Sequence, residues 1–179
     1  MRIIAGAYKG RRLETPPGQD VRPTTDRVKE ALFSMIEGHL PGARVIDLFA
    51  GSGGLGLEAL SRGASRCWFG DFSAESIRAL RNNVEHCGAG SKAEILRRDF
   101  RAFLAQFPGQ ADVIFLDPPY GENLWDEAVR LISTGKILAE GGVLVLEHPR
   151  SMDFPLEYFG YTKIKERRYG TVVLSIFMC

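Results

Sequence analysis

From residue 43 onward, short apolar runs alternate with stretches of helical periodicity, and this alternation limits the chain to very few architectures. The runs fall at 44–49, 67–71, 93–96, 113–117 and 143–147, and the helical stretches at 54–61, 74–87, 100–106 and 125–132. The runs are apolar almost throughout rather than at every second position, so strands formed from them are buried on both faces. Helical crossovers between such strands predict a mostly parallel sheet with helices on both faces, an α/β fold. The end of the chain departs from this pattern. Segments 159–167 and 171–178 are separated only by Arg168-Tyr169-Gly170 or so. That is too short for a crossover, so the last strands are predicted to be antiparallel.

Ahead of this region, residues 1–21 read as a separate arm. Residues 2–5 and 11–14 flank a glycine-containing turn and are expected to pair as a hairpin. Thr15-Pro16-Pro17-Gly18 then breaks the chain, and Thr24 or Thr25 is expected to cap a helix running to about Gly38, with Val28, Leu32, Met35 and Ile36 on one face. The expected division is an arm, 1–21, and a main domain, 22–179. Net charge is only +1, but residues 1–29 carry seven basic and three acidic side chains, leaving the rest of the chain at −3. A basic arm on a mildly acidic body suits a polyanionic partner. Lys163, Lys165, Arg167 and Arg168 form a second basic group, better explained as charge protecting an edge strand.

The three cysteines and three histidines form no CxxC pair and no ligand cluster, so neither a disulfide framework nor a metal site is expected. No apolar stretch reaches the ~18–20 residues of a membrane span. These features point to a protein of the reducing cytoplasm.

Between the first strand and its helix lies Gly51-x-Gly53-x-x-Gly56, a loop whose backbone can turn sharply and admit a ligand closely. Three acids narrow the ligand. Asp47, at the end of the strand, suits a cationic amino group and would repel a pyrophosphate. Asp71 ends the next strand, about 20 residues beyond the first glycine, where a carboxylate accepts both hydroxyls of a ribose. Asp99 follows the third strand and can accept from an adenine amine. An amino acid, a ribose and an adenine joined together describe S-adenosylmethionine.

The fourth strand runs into Asp117-Pro118-Pro119-Tyr120. Two prolines suffice for a strand terminator, but they explain neither the acid nor the phenol. The Asp117 carboxylate and the Pro118 carbonyl, held at a rigid corner, can accept both hydrogens of an exocyclic NH₂. That frees the nitrogen lone pair toward an incoming methyl, while the carboxylate opposes the charge developing on nitrogen. Tyr120 offers a face for stacking a base.

With these motifs the chain resembles the class I S-adenosylmethionine-dependent methyltransferases, and within them the RsmD family of 16S ribosomal RNA guanine-N2 methyltransferases. The resemblance runs along nearly the whole chain. It is carried by "RIIAGAYKGRRL" at 2–13, "RPTTDRVKEALF" at 22–33, "DLFAGSGGLGLEALSRGA" at 47–64 and "DPPY" at 117–120. It implies a Rossmann-like sheet of seven strands with the last antiparallel. It implies S-adenosylmethionine at Asp47, Phe49, Gly51, Gly53, Asp71, Phe72, Asp99 and Phe100, with Asp117, Pro118 and Tyr120 catalytic. It also implies 16S ribosomal RNA, within the small ribosomal subunit, as substrate. Arg2, Lys9, Arg11, Arg12, Arg22 and Arg27 would then contact phosphates, positioning the RNA without selecting the base. A monomer is expected. DPPY alone also admits adenine N6 in DNA or RNA and a protein glutamine as targets, and a non-catalytic ribosome-assembly module is the alternative of a different class. Glu147 and His148, in "LEHP" at 146–149, have no role fixed by the sequence.

Overall fold

A computed structural model describes residues 1–16, 26–119 and 124–179. Its elements are α1 (Asp26–Met35), β1 (Arg44–Asp47), α2 (Gly54–Ser61), β2 (Arg66–Asp71), α3 (Ala74–Cys87), β3 (Ala93–Arg97), α4 (Phe100–Ala105), β4 (Ala111–Leu116), α5 (Trp125–Thr134), β5 (Leu138–Pro149), β6 (Glu157–Tyr158), β7 (Tyr161–Tyr169) and β8 (Val172–Met178). Strand and helix alternate through β5, as the apolar runs require. Proposed caps Thr24 and Thr25 lie outside the described residues. Helix α1 gives way after Met35 to a 3₁₀ turn at Glu37–His39, short of the expected end near Gly38.

The strands form one sheet in the order β3-β2-β1-β4-β5-β8-β7-β6. Strands β1 to β5 pair in parallel. Strand β8 inserts antiparallel between β5 and β7. The described sheet has eight strands rather than seven, because the two residues of β6 pair with the start of β7. The chain runs outward from β1 through β2 to β3, then returns to place β4 on the other side of β1. The carboxyl ends of β1 and β4 therefore flank the point where the winding reverses, the place where open α/β sheets bind ligands.

Side-chain alternation divides the core in two. Val45, Val113, Phe115, Val145 and Leu174 face α1, α2 and α3. Ile46, Ile114, Leu116, Leu146 and Phe177 face α4 and α5. Rings of Phe33 on α1 and Phe115 on β4 lie 5.7 Å apart, which seats α1 over the middle of the sheet. None of the described helices is long and apolar enough to cross a membrane.

The arm forms a single antiparallel bridge, Arg2 to Arg12, rather than a full hairpin ladder. Its anchorage lies elsewhere. Ile3 and Leu13 are buried in the main core, and the Ile4 and Ala5 amides donate to the two oxygens of Glu58 at 2.8 and 3.1 Å. Glu58 is fully buried in α2 and pairs with the equally buried Lys29 of α1 at 3.1 Å, with Arg62 at 2.8 Å. Lys29 also donates to the Arg2 carbonyl. Desolvation lowers the Lys29 pKa despite this partner. Asn83 of α3 completes the attachment, bonding both the amide and the carbonyl of Glu14 and the Ser52 carbonyl of the glycine loop. Arm, loop and first three helices are thus one hydrogen-bonded body.

Candidate functional site

The glycine loop closes on the acid of the next strand. Gly51 has φ 53°, and its amide donates to Asp71 Oδ2 at 2.9 Å, while Asp71 Oδ1 accepts the Ser73 amide at 2.8 Å. Each Asp71 oxygen keeps a lone pair for a second donor, and the residue is partly open to solvent. A Cβ built on Gly51 would meet no atom of the described residues within 4 Å; one built on Gly56 would lie 2.3 Å from the Phe69 ring, so that glycine is required for helix α2 to pack on β2.

Asp47 is buried at 3% exposure and accepts the Gly56 amide at 2.9 Å. Burial, with Asp71 nearby, raises its pKa to about 7. Among the described residues no cation pairs with it. A desolvated acid of this kind is suited to a cationic ligand group. Phe72 follows Asp71 and is 76% exposed, so its ring is open to a flat ligand seated beside Asp71.

Phe49 and Phe100 form a ring pair at 5.3 Å. Phe100 belongs to the core and Phe49 packs against it. Asp99 caps α4 by accepting the Arg101 amide at 2.9 Å, and its second oxygen takes the Arg101 side chain at 3.1 Å. Asp47, Gly51, Asp71 and Phe72 thus converge at the carboxyl ends of β1 and β2. Their chemistry fits S-adenosylmethionine: an acid for the ammonium, an acid for the ribose and an exposed ring for the base.

Asp117 directly follows β4. The pairing Leu116 to Leu146 puts it beside Glu147, and both fall on the face of Phe115 and Val145, where Asp47 also lies. Asp117 is half-buried and Pro118 fully so. Burial, then Glu147, then Asp47 push the Asp117 carboxyl well above the usual range. Tyr120 lies outside the described residues. His148 points to the opposite face, where it bonds Ser175 at 2.9 Å and meets Phe154 edge-on at 4.8 Å. It is a core histidine, its pKa lowered mainly by burial.

Of the basic candidates, Arg2 is held by Asp26 at 2.7 Å, and Arg11 donates to the His86 carbonyl with its guanidinium 5.8 Å from the Tyr8 ring. Lys9, Arg12 and Arg27 are exposed and have no ion-pair partner among the described residues. Arg22 lies outside them. On β7, Lys163 and Arg168 are both neutralised by Glu166, consistent with a charged edge. Glu58 and Asn83 were not expected from the sequence, and Lys29 counted there only toward the basic charge of residues 1–29. The available signal was an acid at position 58 inside the otherwise apolar run Leu57-Glu58-Ala59-Leu60.

A sequence profile of the family described as conserved hypothetical protein 95 matches residues 1–178. YlbH of Bacillus subtilis is 39% identical over 180 residues, covering 99% of this chain and 98% of its own length. Ribosomal RNA small subunit methyltransferase D of Escherichia coli is 32% identical over 177 residues, covering 99% and 89%. The solved structure of yhhF from Escherichia coli superposes with a TM-score of 0.87 at 32% identity, covering 99% of this chain and 97% of that one.

Proposed function

The chain belongs to the conserved hypothetical protein 95 family, and from that premise we propose that it transfers a methyl group from S-adenosylmethionine to the N2 amine of a guanine in 16S ribosomal RNA. Its small-subunit rRNA methyltransferase relative supports the substrate class, and the amine corner supports the chemistry. The observation that carries the reading is the position of Asp117 and Pro118. They stand at the carboxyl end of β4, across the reversal point from the buried Asp47 and the Gly51–Asp71 unit.

The cofactor, when bound, supplies an electrophilic methyl on a sulfonium. Asp47 would hold its ammonium, Asp71 its ribose hydroxyls and Asp99 its adenine amine, with Phe49, Phe72 and Phe100 around the base and Gly51 and Gly53 shaping the loop. Asp117 and the Pro118 carbonyl would each accept a hydrogen of the target amine, leaving its lone pair directed at the methyl. Tyr120 would stack on the base.

We assign RNA contact to the arm, 1–21, together with Arg22 and Arg27 at the start of the main domain, 22–179, which carries the chemistry. Because the arm is docked on α2 and α3, it offers Lys9 and Arg12 to phosphate without having to fold on contact; Arg2, Arg11, Arg22 and Arg27 complete the assigned set. The substrate we favour is the small ribosomal subunit, met by a monomer in the cytoplasm, with the target base flipped out or already unpaired.

Kinetics of Asp117→Ala and Asp71→Ala test the assignment. Asp117→Ala should lower the rate of methyl transfer by orders of magnitude with near-normal cofactor affinity, and Asp71→Ala should weaken cofactor binding. Near-normal turnover in Asp117→Ala would remove the amine corner from the mechanism.

A further inference from the structure

Asn83 of α3 is 2% exposed and joins two segments that are far apart in sequence. Its Oδ1 accepts the Glu14 amide at 2.7 Å, and its Nδ2 donates to the Glu14 carbonyl and to the Ser52 carbonyl, both at 2.9 Å. These partners fix the orientation of the carboxamide, since a backbone amide only donates and a carbonyl only accepts. Both Nδ2 hydrogens are thereby used, one on the arm and one on the glycine loop.

The loop end of this link holds a single peptide unit, the one joining Ser52 to Gly53. Its carbonyl is bonded to Asn83, and its amide donates to the Ala50 carbonyl at 2.7 Å. The second bond is internal to the loop, and the first comes from α3. Gly53 has φ 84°, and glycine passes readily between positive and negative φ, so this peptide is free to rotate unless both of its ends are held. It lies between Gly51, bonded to Asp71, and the first turn of α2 at Gly54, and its rotation would displace both.

The arm end is held along the same helix. Asn82 Nδ2 donates to Glu14 Oε2 at 2.8 Å, and Arg11 donates to the His86 carbonyl. The arm also reaches the loop directly. A Cβ built on Gly54 would collide with Met1 Sδ, and one built on Gly53 with Leu80 Cδ1 of α3. Leu80 and Asn83 are three residues apart on the helix and so share the face that meets the loop. Arm and helix press on the loop from two sides.

We propose that Asn83 is a positioning residue for cofactor binding, holding the Ser52–Gly53 peptide against the seated arm so that the S-adenosylmethionine site is complete only while the arm is docked. The inference rests on the methyl-transfer reading above and extends it to a residue that acts through the loop. The converse follows by linkage: a cofactor that favours the docked form stabilises docking by the same factor. The arm that offers Lys9 and Arg12 to RNA is therefore held hardest when a methyl donor is in place.

The test uses the full chain. Affinity for S-adenosylhomocysteine is measured by calorimetry, and kcat and KM for S-adenosylmethionine by guanine methylation, in wild type, Asn83→Asp and Ile132→Val. Asn83→Asp keeps the acceptor for the Glu14 amide and replaces both donations with contacts between oxygens. Kd and KM should each rise by about 10-fold, the loss that one hydrogen bond represents, with kcat at saturating cofactor close to wild type. Ile132→Val, in the core on the other face of the sheet, should lower the melting temperature and leave Kd unmoved. In wild type, saturating S-adenosylhomocysteine should slow tryptic cleavage after Lys9, Arg11 and Arg12 more than after Lys136, which is exposed beyond α5.

Unchanged Kd in a folded Asn83→Asp, a fall in kcat without loss of affinity, or an equal loss of affinity in Ile132→Val overturns the role of Asn83. Arm cleavage that is no slower with S-adenosylhomocysteine overturns the dependence on docking, and it carries the decision if Asn83→Asp does not fold. A wild type that binds S-adenosylhomocysteine but methylates no guanine sinks the proposed function alone, and the Kd of Asn83→Asp still decides the inference. A wild type that does not bind it overturns both.

Discussion

Asp71 Oδ2 accepts the Gly51 amide at 2.9 Å, so the acid of the second strand and the glycine loop of the first are a single unit. Asp71→Ala removes the loop's anchor together with the proposed ribose acceptors. Hydrogen bonds to a charged group contribute about 1.5–3 kcal/mol each, so affinity for S-adenosylhomocysteine should fall by at least ~10-fold by calorimetry. Methyl transfer at saturating cofactor should fall much less than in Asp117→Ala.

The buried Asp47 predicts a pH dependence with a definite sign. Its carboxyl is raised to about 7 by burial, and only the ionised form attracts an ammonium. Cofactor affinity should therefore be full above about pH 7 and weaken as the pH falls, with proton release on binding near neutrality. Calorimetry in buffers of different ionisation enthalpy measures both effects, and Asp47→Asn should bind weakly with no such dependence. In the cofactor-free protein the same shift acts on stability: the contribution of Asp47 is full below about pH 4 and lost as the pH rises through about 7.

Lys29 and Glu58 make a buried pair at 3.1 Å whose acid also receives the arm's amides. Glu58→Ala leaves a buried ammonium and two amides without their acceptor. Removal of one partner of a buried pair costs about 3–5 kcal/mol. Chemical denaturation should show a loss of this size, and protease should cleave the arm faster than in the parent.

Lys9 and Arg12 are arm cations with no ion pair among the described residues, and unlike Arg11 they have no side-chain hydrogen bond there either. Replacing both with Ala should weaken RNA binding and flatten its dependence on salt by about 0.7–0.9 per lost phosphate contact. Melting temperature should stay within about 2 °C, since exposed charges contribute little to the fold. An unchanged salt slope would take the arm out of the RNA interface.

Most of the sheet was legible because burial on both faces leaves an unmistakable apolar run, and helices α2 and α3 occupy the periodic stretches 54–61 and 74–87 between those runs. The short β6 was not, because two residues carry no periodicity. The arm's hairpin was half legible: its ends do approach, but it is held mainly by Glu58 and Asn83. Those contacts span 54 and 69 positions, and no local pattern encodes such a distance. Lys29 shows the limit most clearly. It counted as part of a basic arm by charge, yet its side chain is fully buried. In the site, the spacing of Asp47 and Asp71 to the glycines matches where they stand, at the ends of β1 and β2 and bonded to Gly56 and Gly51.

The most direct measurement supplies methyl-labelled S-adenosylmethionine to the purified protein with small ribosomal subunits that lack the modification, beside naked ribosomal RNA and DNA. The RNA and DNA are then digested and the labelled nucleoside identified. Labelled N2-methylguanosine from the 16S RNA is the predicted result, lost in Asp117→Ala. Label in methyladenine, label only in DNA, or no transfer by a protein that binds the cofactor normally would contradict the account.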